Sequence, residues 1–144
     1  VVAHRIPYVA QASPSNWRDL IRKARKAFAT DGPAFLNIIQ PCVPGWRYDS
    51  KLSMEMARLA VETSYWPLYE VENGEYRVTY QPKVKQPLTE FIKPQARFAH
   101  LLRPANEEVL RELQANIDRE WELLLKRAGV EAKAAQPEPA PTAT

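Results

Sequence analysis

The chain has 144 residues, 45% of them hydrophobic, a formal net charge of +3 from 20 Lys and Arg against 17 Asp and Glu, and one cysteine. That length suits one domain, and the interleaving of acidic with basic residues leaves no cationic stripe with aromatics of the kind that binds nucleic acid. No apolar run approaches the ~18 residues of a membrane helix, Val1-Val2-Ala3-His4-Arg5 lacks the apolar core of a signal peptide, and a lone cysteine excludes a disulfide scaffold, so the expected setting is cytoplasmic.

In chain order, Val1 to Arg5 suits the last turn of a helix and the residues around Tyr8 to Ala12 a strand. The absence of an initial methionine and this abrupt beginning suggest a fragment. Ser13-Pro14-Ser15 supplies a helix start. Trp17, Leu20, Ile21, Ala24 and Phe28 then recur at helical spacing, with Arg18, Arg22, Lys23 and Lys26 opposite them as a face expected to be solvated. Asp31-Gly32-Pro33 ends that helix. Ala34 to Gln40 reads as a second strand, too apolar to have a solvated face. Strand, helix and strand at this spacing form a right-handed crossover, the unit of a parallel sheet covered on both sides.

Directly after the second strand comes Pro41-Cys42-Val43-Pro44-Gly45-Trp46. Loops beyond the carboxyl ends of strands are where open α/β sheets place their ligands. One sulfur completes neither a disulfide nor a metal site, so chemistry at Cys42 requires groups from elsewhere; the alternative is a small buried thiol. Trp46 either shields such a site or closes the core. His4 and His100 lack metal-ligand spacing and are read as surface or packing residues.

Asp49 or Ser50 can cap a helix whose apolar stripe is Leu52, Met56, Leu59, Ala60 and Thr63. Leu68 to Tyr80 contains two β-rich runs around Asn73-Gly74, the pair suited to a type I′ turn. That turn sets Val71 opposite Tyr76 and Tyr69 opposite Val78 on one face, Glu70 opposite Arg77 on the other, and Glu72 opposite Glu75 at a solvated tip. The hairpin reads as a surface flap packing one aromatic face. Short helices are expected over Leu88 to Lys93 and Ala96 to Leu102, divided by Pro94, and a long amphipathic helix from Pro104 to about Lys126 carrying Leu110, Leu113, Ile117, Trp121 and Leu124. Beyond Gly129 the Ala/Pro/Glu/Thr-rich composition predicts a disordered tail.

The cysteine loop through Arg47, with Leu59-Ala60-Val61-Glu62-Thr63, Trp66-Pro67-Leu68-Tyr69-Glu70-Val71, Tyr76-Arg77-Val78-Thr79-Tyr80 and Gln95-Ala96-Arg97-Phe98, resembles the C-terminal half of the thiamine-diphosphate-binding β subunit of the pyruvate:ferredoxin oxidoreductase (2-oxoacid:ferredoxin oxidoreductase) family. The resemblance covers about Val1 to Leu102. It implies an α/β fold, the C-terminal part of a thiamine-diphosphate-binding parallel-sheet domain with a β-hairpin and C-terminal helices. Residues 1–48 would be the partial α/β domain ending in the cluster-ligand loop, 49–128 the helix, hairpin and helical extension, and 129–144 the tail.

The same resemblance implies that pyruvate, coenzyme A and oxidised ferredoxin give acetyl-CoA, carbon dioxide and reduced ferredoxin, with thiamine diphosphate, Mg2+ and [4Fe-4S] clusters as cofactors. Cys42 would be the last of four thiolate ligands to one cluster. The other three would lie in the missing N-terminal half of the same subunit, and further oxidoreductase subunits would be partners. Two features depart from the pattern: the Gly-Asp-Gly diphosphate motif and any Cys-x-x-Cys pair are absent, and Val43 follows the cysteine where many relatives carry proline. The chain by itself should bind neither thiamine nor a complete cluster. A sister enzyme for branched-chain or aromatic 2-oxoacids and a non-catalytic interaction fragment are the alternatives.

Overall fold

The computed structural model describes residues 1–130. The fold is α/β: four strands, β1 (Tyr8–Ala12), β2 (Ala34–Ile38), β3 (Tyr69–Glu72) and β4 (Glu75–Val78), form one open mixed sheet in the order β2-β1-β3-β4. The helices are α1 (Trp17–Ala29), the single turn α2 (Val43–Trp46), α3 (Ser53–Glu62), α4 (Leu88–Ile92) and α5 (Glu107–Arg127), with 3-10 turns between them. One of these, Val2–His4, ends at Arg5 in place of the helical turn read at the start of the chain. The tail predicted from residue 129 lies, from Glu131 onward, outside the described residues.

The β1-α1-β2 crossover is parallel, Tyr8 pairing with Ala34 and Ala12 with Ile38. The hairpin has the register that Asn73-Gly74 dictates, Tyr69 against Val78, Glu70 against Arg77 and Val71 against Tyr76, and Asn73 adopts the positive φ of 49° that such a turn requires. Its position corrects the reading of a surface flap. β3 lies antiparallel against β1, with Val9 opposite Val71, so the hairpin is half of the sheet. The backbone groups along β1 are thereby paired on both edges, which two local strands alone could not achieve.

The largest correction concerns α1. Three of the four residues of its basic face turn toward the sheet: Lys23 is fully buried and Arg22 and Lys26 reach inward, whereas Arg18, Trp17, Ile21 and Phe28 are exposed, Phe28 at 93%. The cause is Glu70, 1% exposed on the sheet face beneath the helix. Tyr8 donates its hydroxyl to Glu70 Oε2 at 2.7 Å, Arg22 Nη1 reaches both carboxylate oxygens at 3.2 Å, Lys26 lies 3.4 Å away, and Arg77 closes the cluster from β4. A buried carboxylate without cations would cost several kcal/mol, so the helix presents charge to the sheet rather than its apolar stripe. Lys23 Nζ likewise donates to the Gln11 carbonyl at 2.7 Å and to Thr79 Oγ1 at 2.8 Å, and pairs with Asp19 at 2.6 Å.

β2 is also more exposed than its composition implies. It is the edge strand, with one lateral neighbour, and Phe35 and Ile38 are 40% and 43% exposed on opposite faces. Among the described residues nothing covers this edge or the outer stripe of α1.

The principal apolar core lies in the helical part instead. Met56, Leu59 and Ala60 of α3 pack with Leu88, Phe91 and Ile92 of α4, Tyr48 and Ile39, and α5 lays Leu110, Leu113 and Ile117 against them. Asp49 caps the start of this region, its carboxylate accepting from the Lys51 amide at 3.1 Å. At the junction with the sheet, Trp66 donates its indole N–H to the Ala12 carbonyl at 2.8 Å, and the Ile39 amide donates to the same oxygen at 3.2 Å. The carboxyl ends of β1 and β2 are thus fixed to the helical core.

Two stability predictions follow from this buried charge. Glu70→Gln removes the anion while its partly exposed cations regain water, and should cost about 2 kcal/mol, the scale of a charged hydrogen bond; chemical denaturation that shows no loss would refute the central role given to this carboxylate. Burial pushes the Lys23 ammonium down to about 8, against the opposing pull of Asp19. Its folded value then lies below its unfolded value near 10.5, so the unfolded chain binds more protons between those limits and this residue makes stability rise from pH 8 to 10. Tyr8 and Tyr80, pushed up to about 12 mainly by burial, oppose that trend only above pH 10. Lys23→Met should flatten the rise in a pH series of thermal melts.

Candidate functional site

Cys42 lies four residues beyond β2, past the carboxyl end of the parallel pair, and its thiol is exposed rather than buried. Its backbone is extended (φ −109°, ψ 102°), and the chain then turns at once into α2, the Trp46 amide donating to the Cys42 carbonyl at 2.8 Å. Pro44 fits the first turn because it has no N–H to satisfy. Arg47, in the left-handed conformation at φ 55°, ends the turn, and its amide donates to the Val43 carbonyl at 2.9 Å. A Cβ placed on Gly45 would stand 3.1 Å from Cys42 Sγ. The glycine keeps the space beside the sulfur empty.

Trp46 roots this loop in the protein. Its ring meets Phe91 edge-on with centroids 5.8 Å apart and Tyr48 at 6.2 Å, so of its two sequence readings the structure supports closure of the helical core. Arg47 is exposed, as are His4 and His100. Among the described residues no three His, Cys, Asp or Glu side chains converge to hold a metal ion.

Sequence reasoning did not foresee how closely Gln95-Ala96-Arg97-Phe98 is joined to the cysteine loop. The Ala96 amide donates to the Arg47 carbonyl at 3.0 Å. The Arg97 guanidinium carbon sits 4.3 Å from the centroids of both Trp46 and Phe98, and its Nε donates to Gln95 Oε1 at 2.9 Å. Gln95 is fully buried and donates its amide nitrogen to the Phe91 carbonyl. Burial lowers the Arg97 guanidinium from its ordinary value, while the charges of Tyr65 and Cys42 act in the opposite direction. Nothing in local spacing signals this contact, because the two segments are about fifty residues apart.

A separate groove of about 340 Å³ runs between the hairpin and α5, walled by Tyr65, Tyr69, Tyr76 and Trp121 with Arg127 at its side. Ser64, also on its wall, has a buried hydroxyl without a partner among the described residues. The cysteine loop forms no part of this wall.

Comparison with known proteins identifies the relatives of this chain. It is 50% identical over 126 residues to pyruvate synthase subunit PorB of Thermotoga maritima, covering 87% of this chain and 39% of that subunit. The corresponding figures are 44% over 124 residues for pyruvate synthase subunit PorB of Methanocaldococcus jannaschii and 44% over 132 residues for ketoisovalerate oxidoreductase subunit VorB of Pyrococcus furiosus. The chain is a relative of the PorB and VorB oxidoreductase subunits. It spans about two-fifths of their length. No family model matches it. No helix among the described residues is long and apolar enough to cross a membrane.

Proposed function

We propose that this chain is part of the β subunit of a 2-oxoacid:ferredoxin oxidoreductase, which carries out coenzyme A-dependent oxidative decarboxylation and passes electrons through iron-sulfur clusters to ferredoxin. The observation that carries this reading is the 44–50% identity to PorB and VorB subunits over more than four-fifths of the chain. Pyruvate is the proposed substrate, on the 50% identity to a pyruvate synthase subunit; the 44% identity to a ketoisovalerate oxidoreductase subunit keeps a branched-chain 2-oxoacid as the second reading. Side-by-side turnover of pyruvate and 2-ketoisovalerate by the complete complex separates them. Thiamine diphosphate with Mg2+, a [4Fe-4S] cluster, the remainder of the subunit and the other oxidoreductase subunits belong to the same proposal.

In this reading Cys42 supplies one thiolate to the cluster. The residues suit that role: the thiol is exposed, extended backbone carries it past the strand ends, and the missing side chain of Gly45 leaves room beside the sulfur. Thiolates are the usual ligands of such clusters, and the remaining three must come from outside the described residues. When bound, the cluster supplies one-electron transfer. The protein's own task at this loop is to hold Cys42 at a fixed position, through the α2 turn and the Trp46 anchor.

Two substitutions in the complete complex test this. Cys42→Ala should lower bound iron by one cluster and abolish low-potential dye reduction while thiamine diphosphate stays bound; full iron content would sink the assignment. Gly45→Ala should leave the thermal stability of the chain unchanged, because a free cysteine side chain can rotate away from the new methyl group. It should nevertheless reduce iron occupancy severalfold, since a sulfur fixed by coordination cannot move. Equal iron in Gly45→Ala and the parent would show that the space beside the sulfur serves no ligand.

A further inference from the structure

We propose that Arg97 is a positioning residue that sets the reduction potential of the cluster held at Cys42, as a fixed cation beside the ligand loop; the inference rests on the cluster reading above. Four attachments fix it. Its guanidinium carbon lies 4.3 Å from the centroids of both the Trp46 and Phe98 rings, and its Nε donates to Gln95 Oε1 at 2.9 Å. Gln95 is itself fully buried and anchored to the Phe91 carbonyl. The adjacent Ala96 amide is tied to the Arg47 carbonyl at 3.0 Å. Trp46, on whose ring Arg97 stacks, is hydrogen-bonded through its own amide to the Cys42 carbonyl, which joins the cation's support to the cysteine loop.

This arrangement differs from that of the α1 cations that face the sheet. Arg22, Lys23 and Lys26 have carboxylates as partners, whereas Arg97 makes no ion pair among the described residues and is held by aromatic faces and an amide oxygen. Stacking keeps the side chain in place and leaves its charge uncompensated. Tyr65 and Cys42 oppose the effect of burial on Arg97, so the cysteine side chain lies within electrostatic reach of the guanidinium. A one-electron reduction adds a negative charge to a cluster. A fixed cation nearby, partly shielded from water, stabilises that reduced form and raises the potential.

The test is an EPR-monitored redox titration of the complete complex, following the cluster signal that Cys42→Ala abolishes, with iron counted per complex. Arg97→Gln should keep the full iron content and shift the midpoint of that signal to more negative potential, whereas Arg97→Lys should retain most of the parent midpoint because it retains the charge. A parent-like midpoint in Arg97→Gln would overturn the proposal, and loss of iron in either variant would do so as well by making Arg97 a structural support. Failure of the underlying cluster reading is seen separately, as full iron content in Cys42→Ala.

Discussion

A single carboxylate buried in the sheet organises this fold. Glu70 sits in β3 with 1% of its surface exposed, and a charge in that position is stable only when cations and hydrogen-bond donors surround it. They come from three elements: Tyr8 from β1, Arg22 and Lys26 from α1, and Arg77 from β4. The same demand selects the face that α1 turns to the sheet. Lys23 follows its neighbours inward, where the Gln11 carbonyl, Thr79 and Asp19 satisfy its ammonium group.

The reversed helix has a consequence at the opposite surface. Trp17, Ile21 and Phe28 point away from the sheet, and β2 beside them is an edge strand with Phe35 and Ile38 partly exposed. Apolar surface of this extent is a feature of interfaces rather than of free surfaces. The principal apolar core is helical, and through Trp46 and Phe91 it supports the cysteine loop. Cys42 is thus tied through Trp46 to the helical core while it is itself exposed, an arrangement suited to a group that must be held still and reached from outside.

Much of this was legible locally. The hairpin register was readable because Asn73-Gly74 admits few turn geometries, and one turn type fixes every pair along two short strands. The crossover, the Asp49 cap and the stripe of Met56, Leu59 and Ala60 were readable for similar reasons, since each depends on spacing within a few residues. The position of Cys42 after a strand end was equally plain. The sides of α1 and the place of the hairpin were not. Amphipathic periodicity reports that a helix has two faces, and the choice between them depended on Glu70, some fifty residues away.

Most of the elements, the hairpin pairing and the loop that carries the only cysteine were readable in the sequence, because those follow from backbone preference, turn chemistry and short-range periodicity; the single turn α2 inside that loop was not, and α5 begins at Glu107, three residues beyond the expected Pro104. The tertiary structure alone decided that the hairpin completes the sheet against β1, that a basic helix face is the buried one, and that Arg97 is clamped against Trp46 beside the cysteine loop. Each of those outcomes depends on partners far apart in the chain, whose pairing is set by burial and charge in three dimensions and leaves no local pattern to read.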